Sequence, residues 1–317
     1  MALEAHLKPN NPRLCAVVAY YPISIPQVTT KYPPGVKVLV HLVGDDIGVI
    51  RNPEVLGIQG KRKTVKKRLD PGAGYGGSLD LAYPAYTYDG VEPGFAEHDL
   101  EEYNAVAEGL AFSRSLGLLR KAFRKESDIE LVRDRLLDST ASAQEQKFAK
   151  SIRADAHVLY GPTLTGGVGE QNIAKFYTNF FQPMPPSLRA KLLSRTVGTD
   201  RVVDELLFTF QHSHVIPWML PDIPPTFKKV EIVVVSIVCI RGDKLESEHV
   251  YWDQASVLVQ VGLLDSRMVP KAMKSKVPEL PVWGAEEART MKRGGGGQVN
   301  ALIEAWCVSH IAKRNLR

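Results

Sequence analysis

Cysteine is scarce in this chain. It has three in 317 residues, Cys15, Cys239 and Cys307, far apart and never in a Cys-x-x-Cys spacing. That scarcity excludes a disulfide framework or a zinc module of the usual kind and fits a reducing compartment. Long apolar runs are missing too: nothing approaches the roughly 20 unbroken apolar residues that a membrane-spanning helix needs. The first residues, Met-Ala-Leu-Glu-Ala-His-Leu-Lys-Pro, lack the apolar core of a secretory signal. A soluble, cytoplasmic protein without membrane contact is expected. Charge imbalance is modest. The formal net charge is +5, and much of it sits in Lys61-Arg62-Lys63-Thr64-Val65-Lys66-Lys67-Arg68. Without aromatic interleaving or a recognition motif, that run reads as a solvated loop rather than a nucleic-acid contact.

The chain does have apolar content for a sizeable core, at 44%. Leu14–Tyr21 and Val36–Gly44 are short apolar runs that suit buried, parallel strands. Glu101–Phe123 has helical spacing, with apolar residues at Val106, Leu110, Phe112, Leu116, Leu119 and Phe123. Ser127-Asp128-Ile129-Glu130 matches a capping box and opens a second helix towards Ile152. Gln171–Phe181 is a short helix stopped by prolines. Four strands follow, Ser187–Val197, Arg201–His214, Lys229–Arg241 and Leu245–Asp253, the last two joined by the Arg241-Gly242-Asp243-Lys244 turn. Past Pro270 periodicity is lost. The predicted architecture is α+β: a segment over 1–126, a domain over 127–268 with helices on one side of a curved antiparallel sheet, and an irregular tail over 269–317.

Two strands carry candidate chemistry. In Glu248-His249-Val250-Tyr251-Trp252-Asp253 the odd positions His249, Tyr251 and Asp253 share a face. An imidazole, a phenol and a carboxylate together can line a pocket that moves protons. Along Val202–His214 the even positions Val202, Asp204, Leu206, Phe208, Phe210, His212 and His214 form another face, ending near Pro217-Trp218. Plainer readings compete. Asp253 before Gln254-Ala255-Ser256 suits a cap, His212 and His214 suit exposed or hydrogen-bonded positions, and Trp218 suits packing. His212-x-His214 has metal-ligand spacing but no third ligand, so neither metal nor cofactor is expected.

Residues from about Cys15 to Phe123 resemble the C-terminal part of the dienelactone hydrolase family. The resemblance rests on Ala16-Val17-Val18-Ala19-Tyr20-Tyr21-Pro22, Val40-His41-Leu42-Val43-Gly44-Asp45-Asp46 and Gly94-Phe95-Ala96-Glu97-His98-Asp99. It implies that Asp45, or its neighbour Asp46, orients an imidazole and that His98 is the general base. The family's nucleophile sits on a Gly-x-Cys/Ser-x-Gly elbow, and no such pattern precedes Cys15. A base and its orienter without a nucleophile cannot run acyl-enzyme chemistry, so Asp45 and His98 are expected as a remnant pair.

Residues from about Ser127 to Asp265 resemble the SnoaL-like branch of the NTF2-like superfamily, which in fungi occurs fused behind a dienelactone-hydrolase-like domain. The matching segments are Thr163–Gly169, Leu193–Gly198, Val202–Glu205 and Pro217–Pro221, with the Tyr-Trp-Asp strand. The resemblance implies a conical pocket and acid–base chemistry without metal or cofactor, closing a ring in a polyketide or similar small carbonyl compound. Asp253 is the implied catalytic carboxylate, assisted by His214 or His249, with Trp218, Phe210, His212 and Tyr251 shaping the substrate site. Isomerase and dehydratase activities fit the same likeness. So does a non-catalytic ligand-binding or dimerisation module, pairing through the sheet as a homodimer, while the likeness of the first segment leaves a hydrolase with a degenerate catalytic half as the other alternative.

Overall fold

The alternation of apolar and polar residues decides most of the strands, and a few buried polar groups decide how helices lie on them. In the computed structural model the described residues are Leu3, 14–44, 46–51, 63–70, 76–141, 149–181, 184–277, 279–294 and 299–303. The chain divides into two compact units, Met1–Ser127 and Asp128–Arg317.

In the first unit, β1 (Ala16–Tyr20), β3 (Lys37–Val43) and β6 (Ala85–Tyr88) form a parallel sheet in the order β1-β3-β6. A second small sheet joins β2 (Ser24–Ile25), β4 (Asp46–Arg51) and β5 (Lys63–Arg68). The second half of the basic run is therefore a strand rather than a loop: Val65 pairs with Val49 while Lys66 and Lys67 stay exposed. Helix α1 (Ala105–Phe123) starts at Asn104, whose Oδ1 accepts from the amides of Val106 and Ala107. It buries its small residues, Ala107, Ala111 and Ser115, and leaves Val106, Leu110 and Phe123 exposed. The helix forms as its spacing predicts, with Phe112, Leu116 and Leu119 half-buried, and the small stripe lets it approach β1 and β3 closely.

That approach brings Ser115 to a buried imidazole. His41, on β3, has no exposed surface; its Nε2 lies 2.8 Å from Ser115 Oγ and its Nδ1 2.8 Å from Tyr88 Oη. Arg114 donates to Tyr88 Oη at 3.0 Å and lies over the Tyr86 ring. The neutral imidazole therefore donates through one nitrogen and accepts through the other, linking Tyr88 on β6 to Ser115 on α1.

In the second unit, helix α2 (Ile129–Ala141) is capped by Asp128, whose Oδ1 accepts from the Leu131 amide at 2.9 Å, one residue beyond the expected serine. The helix was expected to continue towards Ile152. Instead Ile152 opens a strand, β7 (Ile152–Tyr160), in which Ile152, Ala156, Val158 and Tyr160 are buried while Asp155 and His157 are exposed. Period-two burial wins there over helical propensity. Next come β8 (Thr165–Val168) and helix α3 (Glu170–Phe176), which runs on as a wider π turn over Tyr177–Phe181. Gly166 adopts φ +140° and a Cβ there would meet the Val158 carbonyl, so only glycine lets β8 pair with β7.

Strands β9 (Arg189–Val197), β10 (Arg201–Gln211), β11 (Lys229–Arg241) and β12 (Lys244–Trp252) complete a six-stranded sheet in the order β8-β7-β12-β11-β10-β9. All its pairs are antiparallel except β12 with β7. One face meets α2, α3 and the segment around Trp218 in the main core. Among the described residues, two helices follow β12. The apolar run after Asp253 forms α4 (Gln254–Val261), stopped by Gly262 in the left-handed region. The tail expected to be irregular contains α5 (Glu286–Lys292), whose Ala288 packs on Leu207 and Val233 on the sheet's other face.

His41 gives a pH test of the first unit. Burial, and then the Arg114 charge, lower its pKa from 6.5 to about 4. Between those values the unfolded chain takes up a proton that the folded one does not. Stability is therefore full above about pH 6.5 and is lost as pH falls towards 4, by up to about 3 kcal/mol. Urea unfolding across this range should show the slope in the wild type and a flatter profile in His41→Leu.

Candidate functional site

The inward residues of β12 are Glu248, Val250 and Trp252, while His249 and Tyr251 point the other way. A parity count from the buried Leu245 would put His249, Tyr251 and Asp253 inside. Across the hairpin, consecutive Cys239 and Ile240 on β11 pair with Ser247 and Leu245 on β12, so Glu246 is an extra residue and this bulge inverts the alternation. The register shift at Glu205 and Leu206 puts its extra residue on β9, so β10 keeps its alternation: Val202, Asp204, Phe208, Phe210 and His212 are buried as the even-position pattern predicts, with Leu206 half-buried.

The inner face encloses a cavity of about 80 Å³, bounded by Tyr160, Tyr177, Phe208, Trp218, Arg133 and Glu248 among others. That volume is enough for several waters or a small ligand. Its walls are mostly aromatic and aliphatic, and Trp218, Phe181, Tyr160 and Trp252 pack edge-on or tilted around it. At one pole lies the Glu248 carboxylate, 6% exposed. Ser236 Oγ donates to its Oε1 at 2.7 Å and Arg133 Nη2 donates to the same oxygen at 3.3 Å. Tyr177 Oη donates to Oε2, and Tyr160 is hydrogen-bonded to Tyr177 in turn.

Arg133 also donates from Nε to Asp204 Oδ2 at 3.2 Å and from Nη2 to Ser236 at 3.0 Å. Asp204 is held from its other side by Arg195, at 2.6 Å, and Arg195 reaches Asp134 at 2.8 Å near the surface. Burial opposes the Arg133 charge, but Glu248 and Asp204 outweigh it and raise its pKa above the ordinary value. Burial pushes the Tyr160 and Tyr177 hydroxyls well above the usual phenol range, and the Glu248 charge adds to the rise. Both phenols therefore stay protonated as donors at neutral pH. Trp218, buried in the wall, carries an indole N–H with no acceptor among the described residues.

Trp218 is the one sequence-predicted residue among the cavity's lining residues. Phe210 is buried in the surrounding core. Asp253 is exposed and caps α4: its carboxylate accepts from the Ala255 amide at 2.9 Å and from Ser256 Oγ at 2.6 Å. His214 is exposed and bonded to Ser213. His212 is buried against Thr226, 3.1 Å from its Oγ1. His249 meets His157 on the opposite face of the sheet, Nε2 to Nε2 at 3.0 Å, and Tyr251 lies there too, its ring against Gly161. The pattern that placed Asp253, His214, His249 and Tyr251 in the site thus gives way to a capping role, a strand end and a bulge. In the first unit His98 is exposed and stacks on Tyr103, and Asp45 lies outside the described residues.

Sequence reading passed over Glu248, Tyr177, Tyr160, Ser236 and Arg133. One signal was available. Ile129, Val132, Arg133 and Leu136 follow the spacing of a buried helix stripe, and an arginine on such a stripe calls for buried acids. Among the described residues, no group of three or more His, Cys, Asp or Glu side chains is arranged to hold a metal, and no helix is long and apolar enough to cross a membrane.

No family model matches the chain, and no curated protein matches it in sequence. Solved structures do. A protein from a Jannaschia species, assigned as a SnoaL-like polyketide cyclase, is 16% identical and aligns over 44% of this chain and 99% of its own, with TM-score 0.36. TsrD from Streptomyces laurentii is 13% identical over 44% of this chain and all of its own, also at 0.36. A Catenulispora acidiphila protein with a ketosteroid isomerase-like fold is 15% identical over 43% of this chain and 97% of its own, at 0.32.

The capping geometry predicts the outcome at Asp253. Asp253→Ala should cost about 1 kcal/mol of stability, as lost helix caps do, measured by urea unfolding of the full chain.

Proposed function

We propose that the second unit is an acid–base enzyme domain that enolises a small, largely apolar carbonyl compound, with Glu248 as the base. The observation that carries this reading is a buried carboxylate at the pole of an apolar cavity, held by Arg133, Ser236 and Tyr177. Glu248 removes a proton from the carbon next to the carbonyl. The C–H electron pair moves into a carbon–carbon double bond, and the carbonyl electrons move onto oxygen. The free indole N–H of Trp218 is the available donor for that oxygen, and in a dry site one such bond is worth far more than in water. The protonated Glu248 then returns its proton at a second carbon, giving an isomer. Alternatively the enolate carbon attacks another carbonyl of the same molecule, and the pair of that carbonyl moves onto its oxygen. The protonated Glu248 then returns its proton to the alkoxide, closing a ring in the reaction type of a polyketide cyclase. Neither route needs a metal or cofactor in this reading.

A second reading, a ligand-binding module, is favoured by one feature: the Glu248 oxygens already have three donors, so the carboxylate also works as a structural anchor. The two readings part on proton transfer. In D2O, a panel of small conjugated ketones with acidic α-hydrogens should include at least one whose α-exchange the full chain accelerates, followed by proton NMR. Glu248→Gln should then lower that acceleration by about 100-fold or more, the usual scale of a lost general base. Asp253→Asn should leave it within about twofold. Exchange that survives Glu248→Gln, or that depends on Asp253, would sink the assignment.

A further inference from the structure

We propose that His157 and His249 form a two-imidazole site for a divalent transition metal such as Cu2+, Ni2+ or Zn2+, on the sheet face opposite the cavity. The two residues lie on the neighbouring parallel strands β7 and β12, with Ser247 paired to His157 and Leu159 paired to His249. Their Nε2 atoms are 3.0 Å apart, and the ring centroids 5.1 Å apart. Two imidazole nitrogens that each sit about 2.0–2.1 Å from one ion are about 2.9 Å apart at a right angle and about 3.3 Å apart at the tetrahedral angle. The observed gap falls inside that range.

The metal-free pair is also constrained. One Nε2–H must donate to the other Nε2, which forces unlike tautomers on the two rings. A bound ion lifts that requirement, because both rings then use Nε2 as ligand and keep the proton on Nδ1. His157 is exposed and His249 partly so, which leaves room for water to complete the coordination. The nearby Arg201 cation is held at 3.0 Å by Asp200. With two nitrogen ligands the site prefers copper, nickel or zinc to the oxygen-seeking magnesium and calcium. Since β7 carries Tyr160 and β12 carries Glu248, an ion here clamps together the two strands that supply the cavity's polar pole.

The test uses the full chain, stripped with chelator and titrated with Cu2+ or Ni2+ near pH 7.5. Calorimetry should show one ion per chain, and the Cu2+ spin-resonance spectrum should carry splitting from two imidazole nitrogens. His157→Ala and His249→Ala should each weaken binding by at least about tenfold, with His157→Gln as a second variant if alanine disturbs folding. His214→Ala, an exposed histidine elsewhere, should bind like wild type. Ni2+ should raise the unfolding temperature of the wild type and not of the two site variants. Binding by the wild type no tighter than by the His157→Ala/His249→Ala double variant, or a spectrum with a single nitrogen, would overturn the proposal.

Discussion

One buried guanidinium organises the second unit. Arg133 reaches from α2 across three adjacent strands, touching Asp204 on β10, Ser236 on β11 and Glu248 on β12. Two acids, one arginine and a second arginine at the rim balance one another, so no charge is left alone in the core. Replacing such a cluster with apolar side chains of similar volume is often neutral or stabilising. Its value is therefore in position rather than net stability: it fixes the rotation of α2 over the sheet and holds one carboxylate at the edge of an otherwise apolar cavity. Tyr177 completes the arrangement because the helix before it loosens into a π turn, a feature that often accompanies functional sites.

The two units bury polar groups in different ways. In the first, His41, Tyr88, Ser115 and Tyr20 form a chain around a neutral imidazole, anchored by Arg114. The groups are neutral apart from that arginine, so burial needs hydrogen bonds but no counter-charge. In the second, ionic groups are buried and each needs an opposite partner. The first arrangement ties a helix to a sheet through an imidazole hydrogen-bonded on both sides. The second leaves a carboxylate oxygen beside open volume, the condition for proton transfer to a bound molecule.

Much of the fold was legible in the sequence, and the reasons are local. Lys229–Arg241 spans its predicted limits because its nearly continuous run of valine and isoleucine, ended by the Gly242-Asp243 turn, favours a strand over a helix. The hairpin turn carries its own signal in Gly242 and Asp243, both in the left-handed region. Ile152–Tyr160 was not legible, since its polar residues leave a weak alternation next to a helix. Most of the site was hidden for a different reason. Reading the correct face of β12 requires knowing where a bulge falls, and the extra residue at Glu246, opposite Cys239 and Ile240 of β11, has no signal in the alternation itself. The inner face of β10, which has no inward-flipping irregularity, could be read directly.

The central claim is that the cavity's reactive pole is Glu248, positioned by Arg133 and Tyr177. A crystal structure of the chain with a small phenol, which mimics an enolate, tests it most directly. The account expects the ring among Tyr160, Phe208 and Trp218, with the phenolic oxygen within hydrogen-bond reach of Glu248 or Tyr177. A phenol bound outside the cavity, with its oxygen against Asp253 or His214, would contradict it.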